Sequence, residues 1–385
     1  MGRTLLVTND FPPRYGGIES FVYGLAERLD PRELIVYTSA GNGAAEFDRA
    51  QDFTVVRDEA EVLLPTRRVR KRAAQLARDH GCDTLWFGAA APLGLIAGHV
   101  KRRSPVERAV ALTHGHEAGW ARLPVARGML QRIARDIDVM TYLGDYTFKR
   151  LSPAVGDRTS LRRLAFGIDL ERFGPAVDGS AVRAEWNIGG RPLVVCVSRL
   201  VPRKGQDRLI RALRTVRAEV PGARLMIVGE GPREPALRAL AAEAGVEHAV
   251  VFTGGVEVDR LPEYYAAADV FAMPCFSRWS EFDVEGLGAV FLEAAASGRP
   301  VVAGDSGGAP EAVVDGGTGF VVGDEHALAN RLTELLSDPA KAAELGARGR
   351  EWTEDQWSWE VQAERFRRLL RGEEHSAPVA AAKQA

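Results

Sequence analysis

The chain has 385 residues, which exceeds the roughly 250–300 residues at which a single hydrophobic core stops growing, so two domains are expected. A formal net charge of −2 excludes a global attraction to nucleic acids or membranes, so contact with phosphates must come from local basic groups. No segment approaches the roughly 20 apolar residues needed to span a bilayer, and the first apolar run is too short for a signal peptide. The three cysteines lack metal-binding spacing and indicate buried thiols in a reducing compartment. We predict a cytoplasmic protein that at most rests on the inner face of the cell membrane.

Short apolar runs alternate with amphipathic stretches of helical period along most of the chain. Strands are predicted at 4–8, 34–38, 84–88, 109–113 and 138–142, then at 193–198, 224–228, 250–253, 270–273, 300–303 and 319–322. Helices are predicted at 18–29, 67–80, 207–219, 235–244, 328–336 and 358–370. Because most strand runs are continuously apolar, they are typical of strands buried on both faces, and the alternation predicts parallel α/β sheets.

The alternation breaks once, in the turn-rich segment 166–191, which separates the two series of strands. We therefore predict an N-terminal Rossmann-like domain at 1–168 and a C-terminal one at 190–355. The Ala-rich tail at 372–385 is predicted to be disordered.

Two motifs of the first domain follow predicted strands. Gly16 and Gly17 begin the first helix, where they either open the backbone to an anion or only form a tight turn. His114, His116 and Glu117 follow the strand at 109–113, at the strand end where parallel sheets bind ligands. They could contact a sugar, move a proton or lie in an ordinary loop, whereas their spacing is poor for zinc.

In the second domain, cations follow the first strand. Arg199, Arg203 and Lys204 would lie at its carboxyl end and suit a diphosphate, unless they form a solvated basic loop. Glu285 falls just before a predicted helix and Glu293 about two turns into it. They suit separate roles, one on sugar hydroxyls and one on ribose, although a helix-start acid and a solvated acid would also explain them.

Further glycines follow these acids and the next strand. Gly286 and Gly288 leave amide groups exposed for the sugar or its phosphate, and the Ser-Gly-Gly-Ala-Pro-Glu turn at 306–311 is placed to line the same cleft. The Val-Gly-Glu-Gly sequence at 228–231 resembles a dinucleotide fingerprint but lacks its third glycine, so an NAD site is not predicted.

Two charged motifs have simpler interpretations. Asp136 and Asp138 spell the DxD of metal-dependent transferases, but they join a predicted helix to a strand and favour a structural role. The basic helix at 67–78, with the basic residues at 101–103, either lies on an anionic membrane or forms a solvated face.

Taken together, the Gly-Gly turn, the His-Gly motif, Arg-x4-Lys-Gly and Glu-x7-Glu resemble the retaining GT-B glycosyltransferases of family 4, from residue 5 to about 370. The segments at 9–13, 86–92, 113–120, 198–206 and 283–288 are similar to the actinobacterial mannosyltransferases that add an α-1,6-linked mannose from GDP-mannose to phosphatidylinositol monomannoside. The resemblance implies a GT-B fold, in which two Rossmann-like domains with parallel sheets face a central cleft.

The resemblance also implies roles for single residues. Gly16 and Gly17 would line the donor diphosphate and the acceptor hydroxyl, and His114 would contact the transferred sugar near its O6. Arg199 and Lys204 would bind the diphosphate and stabilise the charge on the departing nucleotide.

Sugar and ribose contacts are implied in the same way. Glu285 would hold sugar hydroxyls, helped by the amide groups of Leu287, Gly288 and Ala289. Glu293 would bind the ribose.

Three larger segments complete the comparison. The base-binding strand end matches 252–256, which includes Gly254, although nothing there distinguishes guanine from uracil. The helix at 357–371 would pack back on the N-terminal domain. The loop at 276–282 departs from the family because it is bulkier and poorer in glycine, which leaves sugar and acceptor preference open.

The expected activity is retaining mannosyl transfer from GDP-mannose, by front-face attack, without a metal or other cofactor and without a nucleic-acid partner. Three alternatives stay open: a UDP-sugar transferase acting on a soluble acceptor, a non-catalytic nucleotide-sugar-binding protein, and a sugar-nucleotide epimerase. Acceptor choice is expected to lie in the loops at 40–64 and 119–127, which carry no readable code.

Overall fold

A computed structural model of the chain describes residues 2–14, 16–121, 123–278 and 283–373, without the side chains of His116 and Ala118. Its contacts divide the chain into two units. The first comprises the described parts of Met1–Leu143, Thr147–Gly167 and Glu360–Ala385, and the second comprises those of Gly144–Tyr146 and Ile168–Trp359. By its contacts, the main part of the second unit begins at Ile168, whereas the turn-rich segment between the two series of predicted strands extends to 191. Most of the segment at 372–385 and of the loop at 276–282 lies outside the described residues.

The first series of apolar runs forms one parallel sheet. Its strands are β1 (Arg3–Thr8), β2 (Leu34–Thr38), β3 (Thr54–Arg57), β4 (Cys82–Phe87), β5 (Arg108–Ala111), β6 (Val139–Tyr142) and β7 (Ser160–Arg163). Their order is β3-β2-β1-β4-β5-β6-β7. The five predicted strands are all present, and the two that were not predicted, β3 and β7, are the edges. Edge strands are half-solvated, so Thr-Val-Val-Arg and Ser-Leu-Arg-Arg lack the continuous apolar run that marks a central strand.

Helices connect these strands. They are α1 (Gly17–Ala26), α2 (Ala44–Arg49), α3 (Arg67–Asp79), α4 (Ala97–Lys101), α5 (His116–Trp120), α6 (Pro124–Ala134) and α7 (Asp145–Val155). A continuous core of buried side chains, among them Leu5, Leu85 and Ala109 of the sheet and Val69 and Ile133 of the helices, holds the layers together.

The second unit has a six-stranded parallel sheet in the order β10-β9-β8-β11-β12-β13. The strands are β8 (Leu193–Val197), β9 (Arg224–Val228), β10 (Val250–Gly254), β11 (Val270–Met273), β12 (Val301–Gly304) and β13 (Gly319–Val322). The helices are α8 (Ser180–Glu185), α9 (Gln206–Glu219), α10 (Glu234–Glu243), α11 (Leu261–Ala267), α12 (Ala289–Ala296), α13 (Glu325–Ser337) and α14 (Pro339–Trp357). The last helix, α15 (Trp359–Arg371), belongs almost entirely to the first unit.

The DxD motif has the structural role that its position indicated. The Asp138 carboxylate accepts hydrogen bonds from Lys101 Nζ at 2.8 Å and from the Ala109 backbone N–H at 2.7 Å. A Cβ atom on Gly98 would overlap the Asp136 carboxylate, so Asp136 packs against α4. Both acids therefore contact α4, and Asp138 also contacts β5.

The basic helix α3 is tied to the sheet by one of its own cations. Arg68 donates hydrogen bonds of 2.6 and 2.7 Å to the two carboxylate oxygens of Asp58, and the Tyr37 hydroxyl donates to the same buried carboxylate at 2.5 Å. These donors hold the pKa of Asp58 well below its usual range, and burial, together with the Asp58 carboxylate, raises the pKa of Tyr37. Asp58 therefore fixes α3 only while it is ionised.

Replacing Asp58 by asparagine is expected to lower the free energy of unfolding at neutral pH by about 2 kcal/mol, because an ionised acceptor of buried hydrogen bonds is lost. The pKa of Asp58 is lower in the folded state, so its contribution is complete above the unfolded value of about 4 and is lost as the pH falls further. Urea unfolding at several pH values would test this. Between pH 7 and pH 3, wild-type stability should fall more than that of Asp58→Asn, and parallel curves would contradict the assignment.

Candidate functional site

The turn after β1 leaves the start of α1 open. α1 begins at Gly17, and no described side chain caps its N-terminus. A Cβ atom on Gly17 would meet no atom within 4 Å, and the atoms nearest to one on Gly16 would be those of the flexible Glu19 carboxylate. Gly16 has φ near 174°, an extended conformation that any residue adopts. Contacts among the described residues therefore do not explain why glycine occupies both positions. An anion bound at the start of α1 remains a prediction.

His114 lies in the loop after β5, beside the end of β4. Its Nε2 atom is 2.6 Å from the carbonyl oxygen of Gly88, and because a carbonyl only accepts, Nε2 carries the proton. The ring also packs edge-on against Phe21, at 5.8 Å between centroids. The His114 backbone N–H donates to the buried Glu117 carboxylate at 3.0 Å. The imidazole is therefore at the predicted strand end, but its orientation is set by Gly88, which the sequence did not mark. The side chain of His116 lies outside the described residues.

The first unit has a small cavity near the turn after β1, which no sequence pattern predicted. Its volume is about 200 Å³, and Asn9, Asp10 and Ile18 line it together with Ala91 and Pro92. The Asn9 side chain both donates to and accepts from the backbone of residue 63, at 3.0 and 2.6 Å, so it joins the end of β1 to the loop before α3. The sequence signal was the Asn-Asp-Phe-Pro-Pro segment, whose polar residues directly follow a buried strand.

The cations that follow β8 have different environments. Arg203 Nη1 is 3.3 Å from an oxygen of Asp283, and Lys204 Nζ is 2.6 Å from Glu285 Oε2. Arg199 is exposed, and within the described residues no ion pair involves it. The sequence predicted three cations for one diphosphate, whereas the structure pairs two of them with acids of the loop before α12.

The loop that carries Glu285 is held by the later glycine turn. The Glu285 backbone N–H donates to Ser306 Oγ at 3.3 Å, and the Gly308 N–H donates to the Glu285 carbonyl at 2.9 Å. A Cβ atom on Gly307 would lie 2.0 Å from that carbonyl oxygen, and Gly307 has φ of 58°, in the left-handed region. Gly307 is therefore required by this close approach. The turn at 306–308 positions Glu285, a role that the sequence did not reveal.

The helix that carries Glu293 begins later than predicted. Gly288 has φ of 85° at the N-cap, so α12 starts only at Ala289 and Glu293 lies about one turn into it, not two. The prediction of the helix start was wrong because a left-handed glycine has no periodic signal. The half-buried Glu293 carboxylate accepts a hydrogen bond of 2.6 Å from the Tyr265 hydroxyl. Burial raises the pKa of Glu293, and this hydrogen bond partly offsets the effect.

A larger cavity, of about 710 Å³, opens at the carboxyl ends of β8, β9 and β10. Arg199, Gly255 and Val256 line it, beside the predicted residue Gly254, which accepts a hydrogen bond from the Gly229 N–H at 2.9 Å. Glu230 and its neighbouring glycines also line this cavity. In the sequence, that Gly-Glu-Gly segment resembles only an incomplete NAD fingerprint. The signal that was missed is the position of this segment directly after β9, the buried strand that pairs with β8.

Two other features are absent from the described part of the chain, a cluster of metal ligands and a membrane-spanning helix. Within the described ranges, no group of three or more His, Cys, Asp or Glu side chains is arranged to hold a metal ion. Among the helices of those ranges, none combines the length and apolarity that a membrane span requires.

Solved structures with the same arrangement of elements define the class. HepE from Anabaena, in complex with UDP, matches with a TM-score of 0.81 at 20% sequence identity, over 96% of this chain and 100% of that one. WaaG, a glycosyltransferase involved in lipopolysaccharide biosynthesis, matches with a TM-score of 0.64 at 18% identity, over 96% and 100% of the two chains. The fold is that of the GT-B glycosyltransferases, as predicted.

Sequence relatives narrow the class to a family. Residues 180–352 match the family described as Glycosyl transferases group 1. A GDP-mannose-dependent alpha-(1-6)-phosphatidylinositol monomannoside mannosyltransferase of Mycolicibacterium smegmatis is 48% identical over 96% of this chain and 98% of its own length. The Corynebacterium glutamicum enzyme named for the monoacylated acceptor is 44% identical over 96% and 98%. The chain belongs to this family of mannosyltransferases, within the group 1 glycosyl transferases.

Proposed function

We propose that this protein transfers a mannosyl group from GDP-mannose to a hydroxyl group of phosphatidylinositol monomannoside, with an α-1,6 linkage and retention of configuration. The observation that carries the proposal is the group of charges that follows β8, where Lys204 pairs with Glu285 at 2.6 Å and Arg199 lines the larger cavity. A cavity of about 710 Å³ is in the range of small-molecule sites. The names of the full-length relatives support the choice of donor and acceptor.

The Lys204–Glu285 pair places a cation for the donor diphosphate beside a carboxylate for the sugar hydroxyls. Their side chains are only 12% and 10% exposed, so the charges interact in a medium of low dielectric constant. A donor diphosphate would replace Glu285 as the partner of Lys204, and the freed carboxylate would accept hydrogen bonds from sugar hydroxyls. Arg199, exposed and without an ion pair among the described residues, supplies a second cation.

During transfer, the bond between the sugar C1 and the β-phosphate oxygen breaks, and a bond from C1 to the acceptor oxygen forms on the same face. The acceptor proton passes to the leaving phosphate oxygen, so the products are the mannosylated lipid and GDP. Negative charge grows on the β-phosphate as the bond breaks, and preorganised cations stabilise it more in the transition state than in the ground state. Arg199 and Lys204 have this role in our proposal.

The smaller cavity is proposed to hold a ring of the acceptor. Asp10 and Asn9 provide polar groups for ring hydroxyls, and Pro92 and Ile18 provide apolar surface for the ring's C–H groups. A volume of about 200 Å³ suits one sugar or cyclitol ring, not a lipid chain. The acyl chains would then stay in the membrane.

The direct test is an assay with the purified protein, radiolabelled GDP-mannose and vesicles that contain phosphatidylinositol monomannoside. Labelled phosphatidylinositol dimannoside and stoichiometric GDP release are expected. A parallel arm supplies UDP-glucose with soluble cyclitol acceptors. Turnover only in that arm would replace the donor and acceptor of this proposal, and nucleotide binding without turnover in either arm would indicate a non-catalytic protein. Conversion of UDP-glucose without an acceptor would indicate an epimerase.

Contact with an anionic membrane is part of the proposal and rests on α3. Its buried face packs on the core, whereas Arg67, Lys71 and Arg78 are exposed. Two exposed apolar residues directly precede the helix, Val62 at 51% and Leu64 at 53% exposure. Cations beside exposed apolar side chains are the combination that binds a peripheral helix to a membrane surface. Arg68 is excluded from this role because its guanidinium forms an ion pair with Asp58.

Replacing Arg67 and Lys71 together by glutamine is expected to weaken binding to anionic vesicles about thirtyfold, since each cation contributes about 1 kcal/mol near such a surface. Cosedimentation with phosphatidylinositol-containing vesicles measures the effect. The control is the double variant Arg214→Gln/Arg348→Gln, which removes the same charge from exposed positions of α9 and α14. An equal loss of vesicle binding in both double variants would show that only net charge matters. Unchanged binding in both would exclude α3 as the membrane contact.

A further inference from the structure

Two adjacent tyrosines near the end of α11 are buried to the same extent but have different surroundings. Tyr264 is 1% exposed and Tyr265 is fully buried. The Tyr265 ring packs against Phe173 and Phe271, with centroids 5.7 and 5.6 Å apart. Its hydroxyl donates a hydrogen bond to the Glu293 carboxylate at 2.6 Å. The Tyr264 ring instead lies beneath the Arg260 guanidinium at 5.7 Å.

The hydrogen bond to Tyr265 occupies only one oxygen of the Glu293 carboxylate. Tyr265 donates to Oε2, and within the described residues no donor is assigned to Oε1. The side chain is half-buried, so Oε1 is not closed off from solvent. A glutamate has several rotatable bonds, and fixing them on ligand binding costs conformational entropy. Tyr265 removes part of this freedom before any ligand binds.

We propose that Tyr265 is a positioning residue, which holds Glu293 so that its second carboxylate oxygen accepts a hydrogen bond from a ribose hydroxyl of the donor nucleotide. This inference rests on the proposed function, in which Glu293 binds the ribose. A tyrosine hydroxyl suits this role because it donates to the carboxylate without adding a charge that would compete with the ribose. A purely structural hydroxyl would stabilise the fold but would not affect which ribose hydroxyls are recognised.

The test compares Tyr265→Phe with Tyr264→Phe, which remove one hydroxyl each from neighbouring buried rings. Calorimetry measures the affinity of each protein for GDP and for 2′,3′-dideoxy-GDP, which lacks both ribose hydroxyls. The wild type is expected to prefer GDP at least tenfold, the usual scale for a hydrogen bond to a charged group. Tyr265→Phe should reduce this preference to about threefold or less, whereas Tyr264→Phe should retain it.

Unchanged preference in Tyr265→Phe would overturn the proposal, and so would an equal reduction in Tyr264→Phe, because that would show a general effect of buried hydroxyls. Thermal unfolding of both variants checks that the fold is intact. The wild-type measurement distinguishes a failure of the proposed function from a failure of the role of Tyr265. A wild type that does not bind GDP contradicts the proposed function itself, whereas a ribose preference that survives in Tyr265→Phe contradicts only the role of Tyr265.

Discussion

Lys204→Ala is expected to lower turnover by about 10²–10³, the scale seen when one transition-state stabiliser is removed. Lys204 is the least exposed cation of its loop, and its charge acts on the leaving diphosphate where water screens it least. The measurement is kcat for GDP release at saturating GDP-mannose and acceptor lipid. Because the interaction strengthens as charge develops, the loss should appear in kcat more than in KM.

The same substitution also leaves Glu285 without its counter-charge, so its effect must be separated from local collapse of the site. Lys204→Arg keeps the charge with a different geometry and should retain more activity than Lys204→Ala. Lys101→Ala removes a lysine that pairs with Asp138 at 2.8 Å in the first unit, and it should have nearly normal turnover. Nearly normal turnover of Lys204→Ala itself would remove the electrostatic part of the mechanism.

Phe366→Ala is expected to lower the stability of the first unit by about 3–5 kcal/mol, the usual cost of truncating a buried phenylalanine. Phe366 is fully buried in α15, and its ring is 4.6 Å from that of the equally buried Trp86 on the central strand β4. The helix is further held by Arg108 Nε, which donates to the Leu369 carbonyl at 2.7 Å. The substitution would therefore open a cavity between α15 and the sheet.

Hydrogen exchange measures this effect locally, because the β4 amides should lose protection before those of β8 in the second unit. The matched control is Phe148→Ala on α7, where the ring is 37% exposed and less buried apolar surface is lost than at Phe366. That variant should remain within about 1 kcal/mol of the wild type. Equal protection of β4 in Phe366→Ala and the wild type would show that α15 does not contribute to the stability of this sheet.

Much of the fold could be predicted because central strands and amphipathic helices are encoded locally. The predicted strands at 193–198 and 224–228 are apolar except for one terminal residue each, and they became β8 and β9 almost to the residue. Edge strands were missed because they lack such a local pattern. Residues 160–163, Ser-Leu-Arg-Arg, have no periodic pattern, and they form β7 only because Val139–Tyr142 offers them a hydrogen-bonding edge.

The candidate site was predicted in position but not in its contacts. That Arg199 and Lys204 follow a strand placed them at the carboxyl edge of the second sheet. The ion pair of Lys204 with Glu285 joins residues 81 positions apart, and no local pattern indicates it. The requirement for Gly307 likewise depends on the nearby carbonyl of Glu285, which only the folded chain brings to it.

The sequence by itself determined that this protein has two series of parallel strands and the set of motifs shared by a family of mannosyltransferases, since both are properties of residue order. Only the tertiary structure decided which charges neutralise each other, that Tyr265 reaches Glu293, and that Phe366 of α15 packs against Trp86. These contacts join residues that are distant along the chain, and their geometry is fixed when burial of the sheets and helices brings them together.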